Sequence, residues 1–200
     1  MKKTLALLLT VCLFLTACAS VPQDDLPAQR ALEFCTKIAA FDFDGAVVLF
    51  YPGPSYYGED EHEPWPWEAD PSLYQMVEAM KAYTTQNTVT IKDSKVEGGR
   101  AVVTVSVEYI DLGGRLADLL DAAMAADTAQ ELIPDDIEGL SEEESLQIVR
   151  DVLVAYAPNH KFEKVTADYV VSLKKDGDDW FVVDAEEELL LALISNIGRK

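Results

Sequence analysis

The sequence predicts an α+β domain with antiparallel strand pairing, and three observations carry that expectation. Ala101, Val103, Val105, Val107 and Tyr109 alternate with Thr104, Ser106 and Glu108, the period of a strand with one buried face. Val165, Ala167, Tyr169, Val171 and Leu173 repeat the pattern, and tight turns at Gly98-Gly99 and Asp176-Gly177 join each run to a partner strand. Around these hairpins, apolar residues recur at spacings of three and four, as on one face of a helix.

Residues 1–17 read as a signal peptide. Lys2 and Lys3 precede an uncharged apolar run from Leu5 to Leu15, which is shorter than the roughly 20 residues needed to span a bilayer. Leu15-Thr16-Ala17-Cys18 follows and resembles a bacterial lipobox. That resemblance implies cleavage before Cys18, lipidation of its thiol and acylation of the new amine, because stable anchoring takes more than one acyl chain. The expected place of work is the extracytoplasmic face of the cell membrane. Residues 18–25 are then a lipidated cysteine and tether, and 26–200 a single domain.

The elements of that domain are expected in order. A helix starts near Asp25 with Pro27 in its first turn and turns Ala31, Phe34, Cys35 and Ile38 inward. Residues 52–70 are rich in proline and glycine and read as an irregular loop. Asp70-Pro71 gives a cap and a first helical residue, with Leu73, Val77 and Met80 on one face. Thr88 to Tyr109 form the first hairpin. Two helices are then inserted over 113–157. The first is lined by Leu116, Leu119, Leu120, Ala123 and Met124. The second opens on a Ser141/Glu144 capping box, carries Leu146, Val149, Leu153 and Tyr156 inward, and ends at Pro158. After the second hairpin, Asp184 and Glu187 are expected to cap a last helix, with Glu186 to Glu188 suiting its dipole and 189–194 docking on the sheet.

Composition excludes several functions. The chain has 36 acidic and 16 basic residues, a formal charge of −20. Loss of Lys2 and Lys3 would leave −22, which opposes nucleic acid and anionic headgroups. Of three cysteines, Cys12 leaves with the signal and Cys18 takes lipid, so no internal disulfide can form. Cys35 reads as a buried, inert thiol. His62 and His160 lack zinc-site spacing, and no G-x-S-x-G, P-loop or G-x-G-x-x-G occurs. No cofactor and no metal is expected.

The string Phe41-Asp42-Phe43-Asp44-Gly45 resembles the first motif of haloacid-dehalogenase phosphatases. That chemistry needs the aspartates at the tip of a parallel strand, whereas helical periodicity precedes Asp42 and tight turns join the later strands. Alanine also stands at 46, where that family usually carries threonine. The acidic break followed by Ala46-Val47-Val48 instead resembles the "gD-x-x-x-A" turn of nuclear transport factor 2-like domains, which belong to the cystatin-like class. The ending ADYVVSLKKDGDDWFVVDAEEELLLAL over 167–193 resembles the closing hairpin and helix of that family, as seen in uncharacterised lipoproteins of Gram-positive bacteria. The resemblance implies a curved antiparallel sheet wrapped as a cone, with Asp42 or Asp44 as a cap.

For function, the expected reading is a non-enzymatic ligand- or protein-binding module of the envelope. The alternatives are a pocket enzyme of the same fold, an isomerase or hydrolase using Tyr109, Tyr169 or an acid the sequence does not place, and a purely structural lipoprotein. Candidate contacts for a partner protein, peptide or small molecule are Tyr51, Tyr56, Tyr57, Trp65 and Trp67, set among acids in one loop, and Tyr109. Aromatic rings give large contact area at small entropic cost. The same loop equally suits a cover over the core, and its acids lack the EF-hand pattern for calcium.

Overall fold

The computed structural model describes residues 25–51, 70–137 and 139–197, with side chains of 71–73 excepted. Helix α1 (Leu26–Ala39) begins as the sequence requires: the Asp25 carboxylate accepts from Ala28 N–H, and Pro27 lies in the first turn. Ala31, Phe34, Cys35 and Ile38 are all buried. The helix ends in a Schellman arrangement, with Phe41 N–H donating to the Ile38 carbonyl and Asp42 N–H to that of Lys37. Phe41 takes the left-handed position, φ 57°, where glycine is usual.

Asp42 then caps the short helix α2 (Phe43–Val47), its carboxylate accepting from Gly45 N–H at 2.9 Å and from the Lys37 ammonium at 2.9 Å. A Cβ at position 45 would overlap the Asp42 carboxylate and crowd Lys37, so the glycine of the string leaves room for the capping contact. Phe43 packs on the core beneath the sheet and Phe41 on a second core between helices, their rings edge to face at 5.8 Å. The string that resembles a phosphatase motif is therefore a hinge-like seam joining two cores.

Helix α3 (Pro71–Thr84) leads into strands β1 (Thr88–Glu97) and β2 (Arg100–Ile110). Three helices, not two, occupy the insertion: α4 (Leu116–Met124), α5 (Asp127–Leu132) and α6 (Glu142–Tyr156), with a 3₁₀ turn at Ala157–Asn159. The Ser141/Glu144 capping box is formed at the start of α6. Strands β3 (Lys164–Asp176) and β4 (Asp179–Ala185) and helix α7 (Glu187–Leu193) complete the domain.

The sheet is antiparallel, but it is not the cone that the family resemblance implied. Its four strands lie in sequence order, β1-β2-β3-β4. Each strand pairs with its sequence neighbour, so the sheet stays open and uncurled with edges at β1 and β4, whereas closure would need those edges joined. Leu49 and Tyr51 lie along the β4 edge through two backbone bonds to Val182, blunting one edge. The nuclear transport factor 2-like and cystatin-like assignment, and the lipoprotein type named with it, fall with the cone.

Helices α1, α2 and α7 fill the inner face. Val103, Val105, Val107, Val171, Leu189 and Leu193 are fully or almost fully buried there with Phe34 and Cys35. The second core gathers Met80, Tyr83, Ile110, Leu112, Leu119, Val152 and Leu153. Two inward assignments and one cap change. Val165, at the start of β3, is 43% exposed and Met124, at the end of α4, is 39% exposed, because both sit where an apolar row runs past its covering layer. Asp184 lies within β4, and the last helix is capped at Glu186 with no side-chain bond to its own backbone. The Glu186 carboxylate accepts from Val170 N–H instead, tying the helix start to β3.

Candidate functional site

Two adjoining depressions open where the helical layer meets the start of β3. Pro158 forbids continuation of α6, and the chain turns through Ala157–Asn159 to bring His160 and Phe162 out beside the last turn of the helix. The first depression is about 310 Å³, and its lining includes Leu112, Arg115, Asp118, Tyr156, His160 and Phe162. The second is about 540 Å³ and opens on Gln86, Glu108, Asn159 and Lys164. His160, Lys161 and Phe162 line both, so the two form one open groove with these residues at its waist.

The waist is held by aromatic packing. Tyr156 and His160 stack with centroids 4.8 Å apart, and the Tyr156 hydroxyl lies 2.8 Å from His160 Nδ1. When that hydroxyl donates, the ring proton sits on Nε2 and is offered to the groove. Phe162 lies 4.5 Å from His160 and edge to face on Tyr83 at 5.4 Å. Tyr83 is fully buried and donates to the Leu153 carbonyl at 2.9 Å; burial first, then the nearby Tyr156, raises its phenol well above the ordinary value. One ring of the cluster is thus locked in the core while three reach the groove.

The charged rim is of mixed sign. Arg115 and Lys161 make no ion pair with any described residue, and neither do Asp118 and Glu163. Asp111 is held in place, its Oδ1 accepting from Asn196 Nδ2 at 2.9 Å and Gly113 N–H at 3.1 Å. Lys164 is also fixed, donating to the Gln86 carbonyl at 2.6 Å and pairing with Glu108 at 3.2 Å. Gln86 spends its amide donor on the carbonyls of Ala82 and Ala157.

The sequence candidates fall elsewhere. Tyr51 lies against the β4 edge, with the Lys174 ammonium 3.9 Å from its ring centroid and Phe181 at 6.3 Å. Tyr109 is buried on the inner face opposite Val165 and lines neither depression. Tyr169 is half-buried against the same core. Cys18, Tyr56, Tyr57, Trp65 and Trp67 lie outside the described residues. Cys35 is fully buried, and burial pushes its thiol up to about 12. Among the described residues no group of three or more His, Cys, Asp or Glu could hold a metal ion, and no helix is long and apolar enough to cross a membrane.

Sequence reasoning missed the groove because its residues come from three separate segments. By its periodicity Tyr156 reads as a core position, and His160, tested against zinc-site spacing, lacks it. The available signal was the Tyr156/His160 spacing of four across a Pro158-Asn159 break. The fold and groove define an open antiparallel meander with a helical layer at one end and a surface cleft at the junction. No protein-family model matches the chain, and no curated protein matches it.

Proposed function

We propose that this protein is a lipid-anchored, extracytoplasmic binding module that presents its groove away from the membrane and does not transform what it binds. The observation that carries the binding reading is the groove with its rigid aromatic waist and unpaired rim charges. Each depression has a volume in the range of small-ligand sites, and the waist side chains are held by packing and hydrogen bonds before any ligand arrives. Anchoring rests on Leu15-Thr16-Ala17-Cys18 after the charged and apolar leader.

Geometry supports the orientation. The Asp25 carboxylate accepts from Ser94 on β1, and Ser94 pairs with Val103 on β2. The groove begins at Glu108, five residues further along β2 and therefore about 17 Å away at ~3.4 Å per residue. A tether that enters at Asp25 would hold one end of the sheet near the lipid and leave the groove facing outward.

Fractionation of cells tests the anchor: the wild-type chain is expected with membranes and Cys18→Ala in the soluble or secreted fraction. Retention of the variant in membranes would show that Cys18 is not the anchor.

A further inference from the structure

We infer that the groove takes a short peptide with free ends and no net charge, its apolar side chain seated at the His160–Phe162 waist; this rests on the groove being the binding site. Three features select that ligand class. The rim of the first depression offers both signs of charge without internal partners, Arg115 and Lys161 for a carboxylate and Asp118 and Glu163 for an ammonium, and of these Lys161 also lines the second depression. A zwitterion satisfies both, whereas a net anion would meet the field of a chain at −20.

The shape favours an extended ligand. Two depressions share one waist and lie open along their length, which suits a backbone crossing from one to the other more than a compact molecule needing enclosure. Amide oxygens are free along that course. Gln86 and Asn159 both commit their amide nitrogens to backbone carbonyls, leaving each side-chain oxygen to accept from a peptide N–H. His160 Nε2 can donate to a peptide carbonyl from the opposite wall.

The aromatic arrangement argues against the commonest rival, a sugar. Sugar recognition uses a free ring face as a platform. Here Tyr156 and His160 stack on each other with only 23° between planes, and Phe162 tilts onto His160. Tyr156 and His160 each give one face to the other and Phe162 leans on His160, which leaves less open ring face for a sugar to stack on.

Titration calorimetry on the detergent-solubilised full chain tests this with alanyl-phenylalanyl-alanine, the same tripeptide with acetylated and amidated ends, and chitotriose. Binding of the free-ended tripeptide is expected, at least tenfold weaker for the blocked form and for Phe162→Ala. Phe162 touches Tyr83, so a second variant guards against misfolding. Arg115→Glu with Lys161→Glu changes only exposed, unpaired groups, and is expected to weaken the free-ended tripeptide at least tenfold with unchanged melting. Binding of chitotriose but not the tripeptide, dependent on Phe162, would overturn the peptide assignment and leave the groove as the site. Absence of binding by either, or binding unaffected by both variants, would overturn the groove as well.

Discussion

Asp42 is the residue on which the rival phosphatase reading and the structural reading part most sharply. Three substitutions separate its jobs. Asp42→Ala removes both the cap on α2 and the partner of Lys37; a lost cap costs about 1 kcal/mol. The ion pair adds little, because the side chains are 27% and 47% exposed and solvent screens such pairs to between about 0 and 1 kcal/mol. The expected cost for alanine is therefore about 1–2 kcal/mol, a drop in melting temperature of about 2–8 °C for a chain of this size. Asp42→Asn retains capping and loses only the pair, so it should cost about 0.5 kcal/mol or less. Gly45→Ala should cost less than Asp42→Ala, since its Cβ displaces the carboxylate while alanine gains about 1 kcal/mol over glycine within a helix. The hydrogen bond from Lys37, helped by Gly45 N–H, holds the Asp42 carboxyl below its usual pKa. Its stabilisation is thus full above the ordinary carboxylate value and is lost as pH falls through the lowered folded value. Urea denaturation at pH 7 and at pH 3 measures this: the gap between wild type and Asp42→Asn should shrink in acid. Equal costs for asparagine and alanine would refute the capping role.

Other expectations follow from buried or capped groups. Asn87 donates to the Leu193 carbonyl and Ser195 hydroxyl and accepts from Ile110 N–H. Asn87→Leu strands the two backbone partners and should cost about 2–6 kcal/mol at about 1–3 per unsatisfied group, read by chemical denaturation; a loss under 1 kcal/mol would mean water replaces the amide. Cys35, with its thiol pushed up to about 12 inside the core, should resist iodoacetamide in the native chain at pH 8 and react on unfolding. Rapid native labelling would contradict its burial. Ser141→Ala removes the Glu144 N–H partner at the start of α6 and should cost about 1 kcal/mol, visible as lower helicity near the melting midpoint.

The fold class and element order were legible because the relevant signals are local. Period-two alternation over Ala101 to Tyr109 states which side chains face inward, and all five are buried. Asp25, Ser141 and Glu144 announce helix starts through bonds spanning three residues, and Pro27 through its fixed φ. The cone was not legible, because curvature and closure depend on which edges meet in space. A closing hairpin with a tryptophan-led strand is compatible with an open meander as well as with a cup, and only the pairing order decides. The insertion was misread for a related reason. Asp127–Leu132 is six residues long, too short for a periodic stripe to stand out.

The site was less legible than the fold, and the reason lies in how binding surfaces are made. Reading a sequence for chemistry looks for reactive groups in fixed spacing, but this groove is built from ordinary residues brought together by tertiary contacts. Arg115 follows β2, Phe162 precedes β3 and Tyr83 closes α3, and no linear pattern connects them. What links them is the second core: Tyr83 fixes Phe162, Phe162 fixes His160, and Tyr156 completes the stack from α6. Phe41 packs on that same core while Phe43 packs on the other. Phe41 of the acidic string and Phe162 of the groove thus pack against the same core. A substitution at Phe41 should accordingly disturb the waist before it unfolds the sheet, seen as loss of the Tyr156–His160 stack with β-strand signal intact. Simultaneous loss of both would show that the two cores melt as one.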